Sequence, residues 1–202
     1  MRKPTSRRWD GWWPVTSAID RSVFDELYRD GADPWSFDTS AYEARKRAIT
    51  LASLPRERYR RGFEPGCSIG TLTAQLAERC DALLAADVSE LAVARTRERL
   101  DERPHVRVER LEVPLEWPDG AFDLIVLSEL GYFLAPAELD ALLDHAIGAL
   151  EPGGDLIAVH WLGPIDGYPL DGRDVHERLA ERGLDRLVHH EEQEFLLEVF
   201  RR

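Results

Sequence analysis

The chain closes with two strand-like runs, "LDRLVHHEE" and "EFLLEVFRR", joined by so short a link that they can pair only antiparallel. A parallel pair would need a crossover of a dozen residues or more. Back to Arg61, everything before them alternates. "RRGFEP", "ALLAAD", "HVRVER", "FDLIVLSEL" and "DLIAVHW" read as strands. "TLTAQLAERC", "SELAVARTRERL", "PAELDALLDHAIGAL" and "GRDVHERLAERG" read as helices between and after them. Alternation of this kind specifies an α/β fold with a parallel sheet. The closing pair adds a last strand that runs against the rest. "FDLIVLSEL" is an almost unbroken apolar run, as expected for a strand buried on both faces. Ser89 is placed to cap the helix after it, and "EPGG" stops the helix before it.

Residues 1–60 read differently. "SAIDRSVFDELYR" and "SAYEARKRAITLASL" are helical, and the second opens with Ser40 and Glu43 at capping-box spacing. The turn-rich "DGADPWSFDTS" lies between them. The division is therefore an N-terminal helical cap, 1–60, packed over one edge of the sheet, and an α/β domain, 61–202. A length of 202 residues fits one domain with such an appendage. The net charge of −12 argues against a nucleic-acid partner, which would need a positive face. The basic cluster Arg2, Lys3, Arg7 and Arg8 reads as a solvated terminus. Two cysteines, Cys67 and Cys80, make neither a disulfide framework nor a zinc pattern, and no apolar run reaches membrane-span length. A cytoplasmic protein without membrane or metal is the expectation. Oligomeric state is not readable.

The stretch "FEPGCSIGTLT" carries the chemistry. It falls at the first strand-to-helix turn, where open α/β sheets bind ligands. Gly66 and Gly70 permit a close backbone approach, although an ordinary tight turn would use them too. The spacing is G-x-x-x-G, so neither a phosphate loop nor the G-x-G-x-x-G of a dinucleotide site is present. Glu64 would repel a diphosphate and suits a cofactor with a sulfonium and an α-ammonium group. Asp87, twenty-one residues after Gly66, stands where an acid accepts from a ribose diol, or simply caps the next helix. Glu112 is placed either to accept from an adenine amino group or to be a solvated loop acid.

These residues carry a resemblance. "FEPGCSIGTLTAQLAERC", "LLAADVS", "FDLIVLSELGYFL" and "LEPGGDLIAVHW" resemble the motifs of class I S-adenosylmethionine-dependent methyltransferases. The G-C-S-I-G loop and the "DPW…SAYE" cap are similar to the nodulation protein S (NodS) branch, which N-methylates the deacetylated glucosamine end of a chitooligosaccharide. The resemblance implies a Rossmann-like seven-stranded sheet of order 3-2-1-4-5-7-6 with its last strand antiparallel. It implies S-adenosyl-L-methionine as cofactor and a small polar acceptor, such as an aminosugar or oligosaccharide. Glu64 and the backbone around Gly66 would take the cofactor's ammonium, with Ser68 and Gly70 bordering it. Ser68 departs from the usual glycine. Asp87 would take the ribose and Val88 would wall the adenine, with Leu111 and Glu112 at its edge. Ser128 and Glu129 would lie beneath the sulfonium. From the cap, Arg47 would pair with the cofactor carboxylate, while Trp35 and Tyr42 either join the pocket or pack the cap.

An acceptor amine or hydroxyl must shed a proton. His160 is the best-placed base in sequence, with structural satisfaction as the other reading, and Glu129 and Tyr132 are alternatives. Trp161 would offer a sugar-stacking wall. His176, His189 and His190 read as surface residues, and "WDGWWP" as packing or a contact patch. Rival readings are a methyltransferase of the same fold acting on RNA or protein, a non-catalytic nucleotide-binding protein, and an NAD-dependent oxidoreductase, which the missing glycine pattern disfavours.

Overall fold

The computed structural model describes residues 21–163 and 170–202. The helices α1 (Ser22–Asp30) and α2 (Ala41–Ala52) come first. They are followed by β1 (Tyr59–Pro65), α3 (Thr71–Leu76), β2 (Cys80–Asp87), α4 (Glu90–Arg99), β3 (Val106–Arg110) and β4 (Phe122–Ser128). The chain ends with α5 (Pro136–Ala149), β5 (Leu150–Trp161), α6 (Gly172–Ala180), β6 (Asp185–Glu191) and β7 (Phe195–Arg201). The sheet order is β3-β2-β1-β4-β5-β7-β6. β7 is antiparallel to β6, as the short final link requires, and to β5. No helix among the described residues is long and apolar enough to cross a membrane.

The expected strand starts shift at two places. β1 begins at Tyr59, inside the segment read as cap. β5 begins at Leu150 and runs through "EPGG" as a bulge, since Phe122 faces Leu150 while Leu124 already faces Asp155. The unbroken apolar run of β4 serves two layers. Ile125 and Leu127 pack with α5 and α6 residues such as Leu139 and Val175. Leu124 and Val126 pack on the other face with Leu76, Ile157 and Leu197. That is why β4 shows no alternation.

The caps fall where expected. Ser40 accepts from the Glu43 amide and Ser89 from the Ala92 amide. The capping box at Ser40 is only half made, because the Glu43 carboxylate turns instead to Lys46 at 3.0 Å. α1 packs toward α4 through Tyr28, Ile69 and Ala92. α2 leans on the sheet through Ile49 and Leu51. Both helices border a cavity at the carboxyl ends of β1, β2 and β4, so the N-terminal segment roofs the strand ends rather than an edge. The first part of the helix read as 17–29, the basic cluster and "WDGWWP" lie outside the described residues.

Candidate functional site

The loop from β1 to α3 puts three residues in the left-handed region within five positions: Gly66 (φ 75°), Ser68 (φ 53°) and Gly70 (φ 76°). Serine is an uncommon occupant of that region. Three bonds of its own hold it there. The Ser68 amide donates to Asp87 at 2.8 Å, its carbonyl accepts from Thr96 Oγ1 at 2.7 Å, and its hydroxyl accepts from Tyr28 at 2.6 Å. The next turn closes through the Gly70 amide on the Cys67 carbonyl at 3.0 Å. Gly70 does not line the cavity. A Cβ there would stand 2.8 Å from Thr96 Cγ2, so its role is to let α3 start against α4. Gly70→Ala combines left-handed strain with that collision. It is expected to cost about 2 kcal/mol of stability, read as a lowered denaturant midpoint at unchanged slope.

Charge is arranged in the cavity with unusual burial. Glu64, at the end of β1, is 2% exposed, and its Oε2 has no hydrogen-bond partner among the described residues. Burial pushes its carboxyl up to about 8, against a smaller pull downward from the Thr73 hydroxyl beside it. Arg47 on α2 gives one guanidinium nitrogen to the Phe37 carbonyl at 2.9 Å, while its buried Nε has no partner. Both side chains line the same cavity. Asp87, at the end of β2, accepts from the Ser68 and Ser89 amides at 2.8 and 3.0 Å. Burial lifts its carboxyl to about 6 against those amides.

A second group gathers where β4 ends. Glu129 adopts φ 55°. Its carboxylate accepts from Lys46, from the Tyr132 hydroxyl and, at 3.1 Å, from the Trp161 amide. Lys46 is 3% exposed and also meets Glu43 at 3.0 Å. Burial opposes the charge on Glu129, yet the Lys46 ammonium and the Tyr132 bond outweigh it and hold the carboxyl down at about 2. Phe24 of α1 and Phe133 after β4 meet edge to face at 5.2 Å on the same wall.

A family model described as nodulation protein S (NodS) matches residues 21–160. The chain belongs to the NodS family. Nodulation protein S of Rhizobium tropici is 33% identical over 127 residues, which cover 62% of this chain and 53% of that protein. The chain thus spans about half the length of that curated relative. The crystal structure of a Pseudomonas syringae protein provisionally called a methyltransferase is 52% identical, with a TM-score of 0.73, over 81% of this chain and 100% of the other. N-methyltransferase NodS from Bradyrhizobium japonicum WM9, in complex with S-adenosyl-L-homocysteine, is 26% identical with a TM-score of 0.81, over 90% of this chain and 97% of that one.

In this NodS-family chain, most residues singled out from the sequence do converge. Trp35, Arg47, Glu64, Gly66, Ser68, Asp87, Val88, Leu111, Ser128, Glu129 and Tyr132 all line the cavity. Four do not. Gly70 is the close-approach position between α3 and α4 described above. Tyr42 packs edge to face on Phe195 at 6.3 Å instead, because it lies five positions, hence about 140° around the helix, from Arg47. Glu112 is ion-paired to Arg21 and Arg110, so it is not a free adenine acceptor.

His160 is the largest correction. It is fully buried behind the cavity wall, bonded to the Gly131 amide and to His176, and burial drives its pKa down to about 3. A base must reach the cavity and hold a proton near neutral pH, and His160 does neither. Glu129 does line the cavity, but a carboxylate held down at about 2 has little proton affinity to offer as a base. His176, read as a surface residue, is 3% exposed. His189 and His190 are partly exposed, as expected.

Sequence reasoning missed Lys46, Glu43, Tyr28 and Phe24. The signal for the first two was present. Glu43, Lys46, Arg47 and Thr50 follow i, i+3, i+4, i+7 spacing, and this polar stripe is the buried face of α2.

Proposed function

We propose that this chain is an S-adenosylmethionine-dependent methyltransferase whose acceptor is an amine on a small polar molecule, with the amino group of a deacetylated chitooligosaccharide as first candidate. One observation carries the reading. Two buried polar atoms without a hydrogen bond among the described residues, Glu64 Oε2 and Arg47 Nε, belong to an acid and a base that line one cavity. Unpaired buried polar atoms are costly and rare, and a ligand that pairs both relieves both. An amino acid zwitterion is such a ligand: Glu64 would hold the ammonium and Arg47 the carboxylate. Asp87 would accept from a ribose diol at the end of β2, and Val88 and Leu111 would wall the base. When bound, the cofactor supplies an electrophilic methyl group on a positively charged sulfur.

The chain's own residues then orient the acceptor and exclude water beside Ser128 and Glu129. Glu129, kept charged by Lys46, supplies a fixed negative charge that favours a nitrogen becoming cationic. An alcohol would need a strong base. Of the three groups read from the sequence as bases, Glu129 and His160 are held far below neutral pKa, and the Tyr132 hydroxyl is committed as a donor to Glu129. An amine with its own pKa near neutrality needs none, which favours nitrogen over oxygen. The relatives named as nodulation protein S, and the N-methyltransferase structure among them, support the same reading.

Calorimetry with S-adenosylhomocysteine is expected to give a Kd on the order of 10 μM. Absence of binding at about 1 mM ligand would overturn the reading. Labelled-methyl transfer over aminosugars, chitooligosaccharides and small amines, with mass spectrometry of products, identifies the acceptor. A product methylated only on oxygen would refute the amine.

A further inference from the structure

Behind the cavity wall, four elements contribute to one line of buried polar groups. The Gly131 amide, in the turn after β4, donates to His160 Nε2 of β5 at 3.3 Å. His160 Nδ1 meets His176 Nε2 of α6 at 3.1 Å. His176 Nδ1 meets Glu198 Oε2 of β7 at 2.8 Å. His160, His176 and Glu198 are all at most 3% exposed. We propose that Glu198, His176 and His160 form a hydrogen-bond chain of a single proton order, and that it positions Tyr132 and Glu129 by holding the Gly131 amide. The second half of this proposal rests on the methyl-transfer reading; the first does not.

The proton order follows from donor and acceptor counting. An amide can only donate, so His160 Nε2 must be the bare nitrogen of a neutral ring. The proton of His160 is then on Nδ1 and points at His176. His176 Nε2 must in turn accept, which leaves its own proton on Nδ1, aimed at the Glu198 carboxylate. Each ring is fixed as a neutral Nδ1–H tautomer. An extra proton on either ring would set two donors face to face somewhere in the line. Burial, which depresses His160 to about 3, keeps an extra proton off that ring.

Packing gives the chain its closeness. A Cβ on Gly131 would stand 2.7 Å from Val175 Cγ1, and one on Gly172 would stand 2.3 Å from the Trp161 carbonyl. Two glycines therefore let α6 approach both the turn and the end of β5. At the cavity end, the Tyr132 ring meets His160 edge to face at 5.6 Å, and the Tyr132 hydroxyl donates to Glu129. Glu129 is further registered to β5, its amide donating to the Val159 carbonyl at 2.9 Å. At the far end, Glu198 Oε1 accepts from Arg186 and His189, each at 2.8 Å. The chain's anion is thus answered at the surface while its neutral end holds the turn. Glu198, His176 and His160 are positioning residues; none touches the cavity.

Two measurements test this. Long-range ¹⁵N correlation spectra of the wild-type protein at pH 7, with the His160 signals assigned through their loss in His160→Gln, are expected to show a neutral Nδ1–H ring. An Nε2–H ring or an imidazolium at His160 overturns the proton order, whatever the activity. Glu198→Leu removes the acceptor at similar volume. It is expected to lower kcat for methyl transfer to a deacetylated chitooligosaccharide about 10- to 100-fold, as misplacement of reacting groups does. The Kd for S-adenosylhomocysteine should stay within about twofold, because the cofactor's proposed partners are untouched. Glu198→Gln keeps an oxygen for His176, and its Arg186 and His189 partners can turn to water, so it should retain most of kcat. If the folded fraction of Glu198→Leu turned over at the wild-type rate, the positioning role would be refuted. A wild-type protein with the expected tautomer but no S-adenosylhomocysteine binding would remove the methyl-transfer reading and leave the proton order standing.

Discussion

Glu64→Gln is expected to weaken S-adenosylhomocysteine binding about 30- to 100-fold at pH 8, the scale of losing a buried charge partner. The wild-type carboxyl sits at about 8 before ligand arrives. At pH 7 it is therefore mostly protonated, and binding an ammonium requires it to ionise. Wild-type binding should release about 0.9 proton at pH 7, and its affinity should rise about fivefold from pH 7 to pH 8. Calorimetry in buffers of different ionisation enthalpy reads both quantities. The glutamine variant cannot ionise, so its proton release should fall to the ~0.1 proton that Asp87, lifted to about 6, still gives up, and most of this rise should vanish. Equal proton release in the two proteins would remove Glu64 from the ammonium site.

The same substitution has the opposite effect on stability. Glu64 ordinarily titrates near 4.5. Between that value and about 8 the unfolded chain has lost this proton while the folded chain keeps it. The folded state binds more protons, so stability falls as pH rises through that window. Glu64→Gln removes the loss and should stabilise the ligand-free protein by about 2–4 kcal/mol at pH 8, read by denaturant unfolding. A residue that weakens the empty protein and strengthens the complex is placed there for its ligand.

The sheet was legible because its signals are local. The short final link demanded an antiparallel pair, and Ser40 and Ser89 capped as their positions required. The cavity was most legible where strand ends fix direction, at Glu64, Asp87 and Glu129, and Trp35 and Arg47 of the cap also line it as read. It was not legible where a side chain's surroundings depend on distant elements. His160 ends β5 as expected, yet α6 closes over it through Gly131 and Gly172, a packing that no neighbouring residue announces. Helix α2 misled for another reason. Its stripe of Glu43, Lys46, Arg47 and Thr50 has the period of a buried face but the composition of a solvated one. Such a face is buried against a polar cavity, so period and polarity together were the missed signal. Ser68 shows a third case. A left-handed position is usually read as glycine, and here side-chain and backbone bonds hold a serine in it.

Lys46→Met should be among the most destabilising single changes in this protein. It leaves Glu129 and Glu43 buried without the ammonium that lies between them. Removing one partner from a buried ion pair costs about 3–5 kcal/mol, because the remaining charge is stranded. The pH dependence distinguishes this from loss of packing. In the wild type, Glu129 is held at about 2, below its ordinary 4.5. Its contribution is complete above 4.5 and is lost as pH falls from 4.5 toward 2. Without Lys46 the shift reverses. Burial alone raises the carboxyl, so the variant loses stability as pH rises above 4.5. The gap between wild type and Lys46→Met is therefore widest near pH 7 and narrows steadily toward pH 4. Unfolding free energies measured at pH 7, 5.5 and 4 would show it. A gap that stayed constant across that range would mean that Lys46 contributes only its aliphatic chain to the wall. It would also mean that Glu129 is kept ionised by something other than Lys46.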